Sequence, residues 1–255
     1  MLRSIKKIHG FKIQAKDGEI GKADGFYFDD HTWTIRYLVV DTGNWLVSRR
    51  VLISPHSLGK PDWEKEIFPI NLTKEQIEKS PNVENDKPVS RQHEIDLVEY
   101  YGWPSYWTGV DGSMVGAIPP VAFYPPSETE EELSEMKRKE EEKFDPNLRS
   151  TNNVIGYNIH ANDGDIGHAE DFLVDDNNWS IRYLVVDTKN WLPGGRKVVL
   201  ALSWIKDINW ADSNVKVNLT KEQIKNSPQY DSSKLIEREY ELALYEHYDK
   251  PKYWE

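Results

Sequence analysis

The sequence predicts an all-β fold with short helices, formed by two small barrel domains in tandem. The eight residues 35–42 (IRYLVVDT) recur unchanged at 181–188, and such a long identity is the signature of an internal repeat. Short segments rich in β-branched and aromatic residues alternate with Gly and Asp turns about every ten residues, a pattern typical of small barrels and sandwiches. A chain of 255 residues has room for two such domains.

The first copy opens with a predicted hairpin. Residues 7–13 alternate apolar and polar side chains, and the Asp17-Gly18 pair that follows is a strong signal for a tight turn. Residues 19–28 form the returning strand, in which Gly21 and Gly25 indicate bends or a β-bulge.

The most buried strand is predicted at residues 33–41, because both of its alternating faces carry β-branched and aromatic side chains. A turn at 29–32 precedes it. A loop begins at Asn44, a short strand follows at 50–53, and residues 63–72 supply one or two more strands.

Two short helices are predicted to end each copy. Residues 73–76 (TKEQ) have the form of a capping box, and the Ser80-Pro81 pair stops the helix that they start. A second helix over about 91–101 leads into an aromatic segment that ends at Trp107. The second copy repeats this order up to the end of the chain.

The repeat divides the chain into three parts. We predict a first repeat with a helical tail at 1–107, a linker at 108–150, and a second repeat with its tail at 151–255. The linker is rich in Gly and Pro at first, which excludes regular structure. Residues 127–143 are rich in Glu, and a solvated helix or a disordered tract is expected there.

Composition narrows the function classes. The net charge of −11 argues against direct contact with nucleic acid or anionic lipid, since both require surfaces rich in Lys and Arg. The absence of cysteine excludes disulfides, thiol catalysis and Fe–S clusters. Neither a secretory signal nor a run of about 20 apolar residues is present, so we expect a cytoplasmic protein with no membrane insertion.

The repeated motif resembles that of the PRC-barrel family. Its elements are an Asp-Gly-x-Ile-Gly turn at 17–21, an aromatic strand ending in Asp-Asp at 29–30, the strand at 33–42 and an Asn-Trp-Leu loop at 44–46. The family includes the cytoplasmic barrel of the photosynthetic reaction centre H subunit and a domain of the ribosome maturation factor RimM, and this chain is most similar to bacterial proteins with two such barrels. The resemblance implies two PRC-type barrels, here expected in a pseudo-twofold arrangement, that act as adaptor modules without catalytic residues or cofactors.

The first candidate partner-binding residues follow the central strands. Asp41, Asn44 and Trp45 in the first copy correspond to Asp187, Asn190 and Trp191 in the second. These polar and aromatic side chains can form a rim that binds a partner. Alternatively, the aspartate caps the loop and the tryptophan plugs the barrel end, and we favour this second interpretation.

The second group of candidates consists of the aromatic residues that end each copy, represented by Trp103, Trp107 and Trp254. Exposed, they would form a docking surface, because aromatic side chains dominate interface energetics. Buried, they would cover the other barrel and hold the two copies together, as the subunit contact of an ancestral homodimer would. We favour burial.

The acidic pairs at 29–30 and 175–176 offer oxygen ligands for a hard cation, but adjacent aspartates in a hairpin turn are explained by hydrogen bonds to turn amides. No metal site is therefore predicted. No nucleophile elbow and no phosphate-binding glycine loop occurs, so no catalytic residue is predicted either.

The sequence thus favours a non-enzymatic cytoplasmic adaptor or scaffold. Its expected partner is a protein, either free or membrane-associated. Patches of Arg or Lys on that partner would suit the acidic chain. The alternative is a sensor that binds a small molecule or a divalent cation in the groove between the barrels. Either a monomer or a homodimer fits these expectations.

Overall fold

A computed structural model describes residues 1–46, 49–81, 89–107, 147–189, 191–192 and 195–255. The predicted linker at 108–150 lies outside these residues except for 147–150. The described residues form a mostly β protein with short helices, as predicted, and the strands curl into a barrel-like sheet. No helix among them is long and apolar enough to span a bilayer.

The elements of the first copy follow in chain order. They are β1 (Leu2–Ser4), α1 (Ile5–Ile8), β2 (Lys12–Ala15), β3 (Gly18–Asp29), β4 (Thr34–Asp41), β5 (Arg50–Ile53), a 3-10 turn (Pro55–Ser57), β6 (Ile67–Pro69), α2 (Lys74–Glu78) and α3 (Arg91–Tyr101).

The second copy repeats this order and adds one strand. Its elements are β7 (Leu148–Ser150), α4 (Thr151–Val154), β8 (Asn158–Ala161), β9 (Gly164–Asp175), β10 (Ser180–Asp187), β11 (Lys197–Ala201), a 3-10 turn (Leu202–Trp204), β12 (Ile205–Asn209), β13 (Asn214–Val217), α5 (Lys221–Lys225) and α6 (Arg238–Tyr248).

The repeated octapeptide forms the centre of each copy. Its strands β4 and β10 are almost continuously buried, as expected for strands whose two faces are both covered. Each starts one residue after a tryptophan, because Trp33 and Trp179 adopt positive φ angles of 54° and 58° at the end of the preceding turn.

The predicted helix starts are confirmed. In α2, Thr73 accepts from the amide of Gln76, whose side chain accepts in turn from the amide of Thr73. The equivalent pair, Thr220 and Gln223, caps α5 in the same way. Each capping box satisfies amides that the first helical turn leaves without partners.

The glycines of β3 mark a bulge, as predicted. The register between β3 and β4 shifts between Ala23 and Gly25, so that one extra residue lies on β3. At Gly21 a Cβ would lie 2.0 Å from the carbonyl oxygen of Asp41, and Gly167 meets Asp187 in the same way. Only glycine fits this close approach of two backbones.

The two copies exchange their first strands. Strand β1 pairs antiparallel with β9 of the second copy, and β7 pairs antiparallel with β3 of the first. Both strands have the sequence Leu-Arg-Ser. In β7 this sequence occupies residues 148–150, at the end of the predicted linker. Each copy therefore completes the sheet of the other.

The central strands also meet across the copies. Ile35 N donates to Trp179 O at 2.9 Å and Ile181 N donates to Trp33 O at 2.7 Å, in a reciprocal pair around the Thr34–Ser180 contact. One hydrogen-bonded path of strands thereby runs through both copies, in the order β12-β13-β8-β9-β10-β4-β3-β2-β6.

Aromatic and charged side chains continue the junction. Phe28 packs against Phe172 with ring centroids 5.8 Å apart, and Trp179 stacks on Phe68 at 5.7 Å. Further contacts are reciprocal. The arginine of each exchanged strand pairs with an aspartate of the other copy and lies over a tryptophan of its own copy. These sets are Arg3 with Asp176 and Trp63, and Arg149 with Asp30 and Trp210.

Candidate functional site

A groove of about 500 Å³ lies where the two copies meet. The first copy contributes residues from β4, from the 3-10 turn and the segment after it, and from the end of α3. The second copy closes the groove with its turn at residues 176–179. Its volume is in the range of small-molecule sites, which span about 300–1,000 Å³.

The groove combines an apolar floor with a cationic edge. Its apolar side chains include Ile35, Leu58, Val98, Trp103 and Trp179. The acidic and basic side chains that line it are Arg36, His56, Lys60 and Asp176. Such a surface can hold an apolar body and orient a polar group on it.

Only part of this charge is already neutralised. Asp176 pairs with Arg3 at 3.2 Å and with the N-terminal ammonium group. Arg36 donates to Thr32 Oγ1 at 3.1 Å and forms an ion pair with Asp29 at 3.8 Å. His56 and Lys60 are exposed, and their side chains form no hydrogen bond or ion pair with any of the described residues.

Behind the groove, Arg36 belongs to a buried polar cluster. Its guanidinium carbon lies 3.9 Å from the centre of the Tyr106 ring, and the Tyr106 hydroxyl donates to Glu94 at 2.6 Å. Arg91 approaches the same carboxylate at 2.7 Å. Glu94 is fully buried, and burial raises the pKa of its carboxyl to about 6.

The second copy has an equivalent cluster. Glu241 accepts from the hydroxyls of Tyr183 at 2.6 Å and Tyr253 at 2.9 Å, and Arg238 lies 2.9 Å from its carboxylate. Burial raises the pKa of the Tyr183 hydroxyl far above its usual value. In both copies the cluster fastens the last helix and the aromatic tail to the central strand.

Sequence reasoning missed these clusters. The signal that could have found them is an Arg-x-x-Glu motif that opens the last helix of both copies, at 91–94 and 238–241. Its two side chains lie on one face of the helix. A tyrosine on the central strand, Tyr37 or Tyr183, supplies the matching hydroxyl.

The two copies differ most clearly at the groove. In the first, Trp103 Nε1 donates to Ser57 Oγ at 2.8 Å. In the second copy Lys250 corresponds to Trp103 and Trp204 corresponds to Ser57. The tryptophan of this pair therefore lies in the 3-10 turn of the second copy and in the tail of the first. Trp204 is buried against Tyr248, with ring centroids 4.6 Å apart.

The predicted loop residues at the strand ends lie where expected. Asp41 is exposed and accepts from the amide of Gly43 at 2.8 Å, while Asp187 is buried and accepts from the amide of Lys189 at 2.9 Å. Both aspartates therefore cap the loop, as the favoured interpretation predicts. Asn44 is exposed, and Asn190 lies outside the described residues.

The tryptophans of these loops are half-buried. The ammonium group of Lys74 lies 5.1 Å from the ring centre of Trp45, and Lys221 lies at the same distance from Trp191. Each ring is thus partly covered by a cation and keeps part of its surface open.

The two strand-end loops point away from each other. Strands β4 and β10 meet antiparallel at their first residues, Thr34 and Ser180, and the loops follow their last residues. Each strand has eight residues and would extend about 26 Å if straight. The structure therefore places one loop on each side of the junction.

The terminal aromatic residues contact their own copy. Trp103 is buried against Ser57, Trp107 lies under Arg91, and Trp254 packs on Tyr245 at 5.2 Å. The expected burial applies to Trp103, while Trp107 and Trp254 are half-buried. The sequence predicts that they cover the other barrel, whereas these contacts lie within one copy. The reason is that the helix before each tail packs on the central strand of its own copy.

The acidic pairs in the turns divide their roles. Asp29 accepts from the amides of His31 and Thr32, as predicted for a turn, and Asp30 binds Arg149 of the exchanged strand. Asp175 and Asp176 repeat this division, with Arg3 as the partner of Asp176.

One group of side chains has metal-ligand types. His168, Glu170 and Asp187 place a ligand atom each within 4.8 Å of one another. Glu170, however, already accepts from Lys6 at 2.6 Å and from Lys197 at 3.0 Å. Two ammonium groups compete there with any cation, so we interpret the group as an ion-pair network.

Comparisons with known proteins add no assignment. No protein-family model matches this chain, and a search of curated proteins finds no significant match.

Proposed function

We propose that this chain is a non-enzymatic cytoplasmic adaptor formed by two PRC-type barrels in a pseudo-twofold arrangement. Three reciprocal features support the arrangement: the exchanged strands, the paired hydrogen bonds at Trp33 and Trp179, and the Arg–Asp contacts of both exchanged strands. A two-copy protein of this kind presents two related surfaces.

The position of the strand-end loops is the observation that carries the adaptor role. The two loops lie on opposite sides of the junction within one hydrogen-bonded sheet, with Trp45 and Trp191 partly open. An adaptor of this geometry binds two copies of a protein partner at once. Because the two loops point away from each other, each binds one copy of the partner independently, and the adaptor bridges the two copies.

The chemistry of the loop indicates the kind of partner. In the loop of the first copy Asp41 is exposed and Trp45 is half-buried, in a chain of net charge −11, whereas the equivalent Asp187 is buried. A partner surface with an Arg or Lys side chain can pair with the Asp41 carboxylate and pack its aliphatic stem on the ring. A basic protein surface meets this requirement, whether the partner is free in solution or associated with a membrane.

The test compares loop variants as bait in quantitative cross-linking and capture. Trp45→Ala and Trp191→Ala should each reduce partner recovery about twofold, because each removes one of the two sites, and the double variant should abolish it. Tyr100→Ala, which removes another exposed aromatic residue, serves as the control. The proposal is wrong if the folded double variant, verified by its melting temperature, recovers the same proteins as the wild type.

The groove supports a second candidate function. A cavity of about 500 Å³ between the copies, with apolar and charged walls, suits the sensor alternative, in which a small molecule or a divalent cation is bound. A ligand selective for the folded state would raise the melting temperature. Indifference to a broad panel of metabolites and to Ca²⁺ and Mg²⁺ would exclude this function.

A further inference from the structure

We infer that the groove between the copies binds a small aromatic carboxylate, with the ring on the apolar floor and the carboxylate at Lys60 and His56. This inference rests on the second function proposed above, the binding of a small molecule in the groove. It goes further by assigning the sign of the ligand's charge, the shape of its body and the residues that recognise each part.

The floor determines the body of the ligand. Trp103 and Trp179 line the groove from the first and the second copy, together with Ile35 and Leu58. A flat aromatic ring gains both from apolar burial and from packing against the faces or edges of indole rings. The ligand therefore contacts both copies.

The charged side chains at the edge of the groove determine the sign of the ligand's charge. Asp176, the acidic side chain that lines the groove, is already compensated by Arg3 and the N-terminal ammonium group. Arg36 is held by Thr32 and by the Tyr106 ring. The ammonium group of Lys60 and the imidazole of His56 are left without partners among the described residues, and both suit a carboxylate.

The second copy shows that the fold does not require these two side chains. Ser203 and Asp207 occupy the positions of His56 and Lys60, and both are exposed. The pair of His56 and Lys60 is thus particular to the first copy, whereas the pocket at the equivalent place of the second copy is lined by Lys206 and Lys250. A local cationic edge of this kind favours an anion over a neutral or cationic ligand of the same shape.

The test uses calorimetric titration of the full chain with 2-naphthoate and with 2-naphthamide, which has the same shape without the charge. Naphthoate should bind with a 1:1 stoichiometry, quench tryptophan fluorescence, and bind about five- to tenfold more tightly than the amide. In the variant Lys60→Asp this preference should disappear.

The control is the double variant Lys60→Asp/Asp207→Lys, which exchanges the two residues and keeps the net charge at −11. It should behave like Lys60→Asp, whereas Asp207→Lys alone should bind like the wild type. Equal affinity for naphthoate and the amide would overturn the inference and leave the groove as a ligand site. Absence of binding by both probes at millimolar concentration would overturn the inference alone, because the sensor function is excluded only when the broad panel of metabolites, Ca²⁺ and Mg²⁺ also fails to bind.

Discussion

Gly21 and Gly167 are positions where the backbone leaves no room for a side chain. A Cβ on either would lie 2.0 Å from a carbonyl oxygen of the neighbouring central strand. We predict that Gly21→Ala lowers the free energy of unfolding by about 3 kcal/mol, because backbone has to move to relieve the contact.

The matched control for this prediction is Gly10→Ala. Gly10 has a φ of 88°, but a Cβ added there would have no neighbouring atom within 4 Å, so the change costs only the strain of a left-handed alanine, about 1 kcal/mol. Urea unfolding of both variants measures the difference. Equal losses would show that the two backbones at Gly21 can separate without cost.

Glu94 makes stability depend on pH. Burial raises the pKa of its carboxyl from 4.5 to about 6, so the folded protein retains the proton to higher pH than the unfolded chain does. The contribution of this group to stability is therefore present in full below pH 4.5 and falls as the pH rises through about 6. Its loss amounts to about 2 kcal/mol.

We predict that the wild type loses about 2 kcal/mol relative to Glu94→Gln between pH 4.5 and pH 7, because glutamine has no proton to lose. Urea unfolding at the two pH values measures this change. Glu99→Gln, on the exposed face of the same helix, is the control and should follow the wild type. A constant difference between wild type and Glu94→Gln would contradict the prediction.

At the level of elements, the exchanged strands connect the copies. The amide of Asp176 donates to Met1 O at 3.0 Å, and β1 pairs with Leu173–Asp175 of β9. Deletion of residues 1–4 removes these partners from the second copy, although the deleted residues belong to the first. We predict faster amide hydrogen exchange at residues 173–176 and unchanged exchange at residues 27–29.

The mirror variant provides the control for this experiment. Replacing residues 147–150 with a Gly/Ser sequence removes β7, which pairs with residues 27–29 of β3. Exchange should then increase in the first copy and not at 173–176. If each deletion instead exposed the sheet of its own copy, the strand exchange would be wrong.

The elements themselves were largely predictable from local sequence signals. The Asp-Gly turns, the alternating strands, the bulge near Gly25 and both capping boxes follow from residue types that act within a few positions of one another. The exchange of β1 and β7 was not predictable, because Leu-Arg-Ser is too short to stand out and strand pairing between copies depends on contacts far apart in the chain.

The candidate site, too, was predictable from the sequence only in part. The loop residues Asp41 and Trp45 follow from the repeat, and their capping role follows from turn chemistry. The groove is formed by segments of both copies, so it required the relative placement of the two, which composition and periodicity do not contain. The buried Glu94 cluster likewise joins a strand, a helix and a tail.

At the level of the whole molecule, the two copies should behave as one unit. The sheet path, the exchanged strands and the aromatic contacts all cross between them. Both proposed functions depend on this, since the adaptor needs a fixed relation between its loops and the groove needs walls from both copies. Cutting the chain between the copies should therefore leave the particle intact.

The most direct test places a specific protease site within residues 108–146, cleaves the purified protein, and follows it by size-exclusion chromatography. Denaturing electrophoresis verifies that the chain is cut. Strand exchange predicts that the two fragments continue to elute together at the size of the uncut 29.7 kDa chain. Elution as two separate folded fragments of about half that size would contradict the interlocked arrangement.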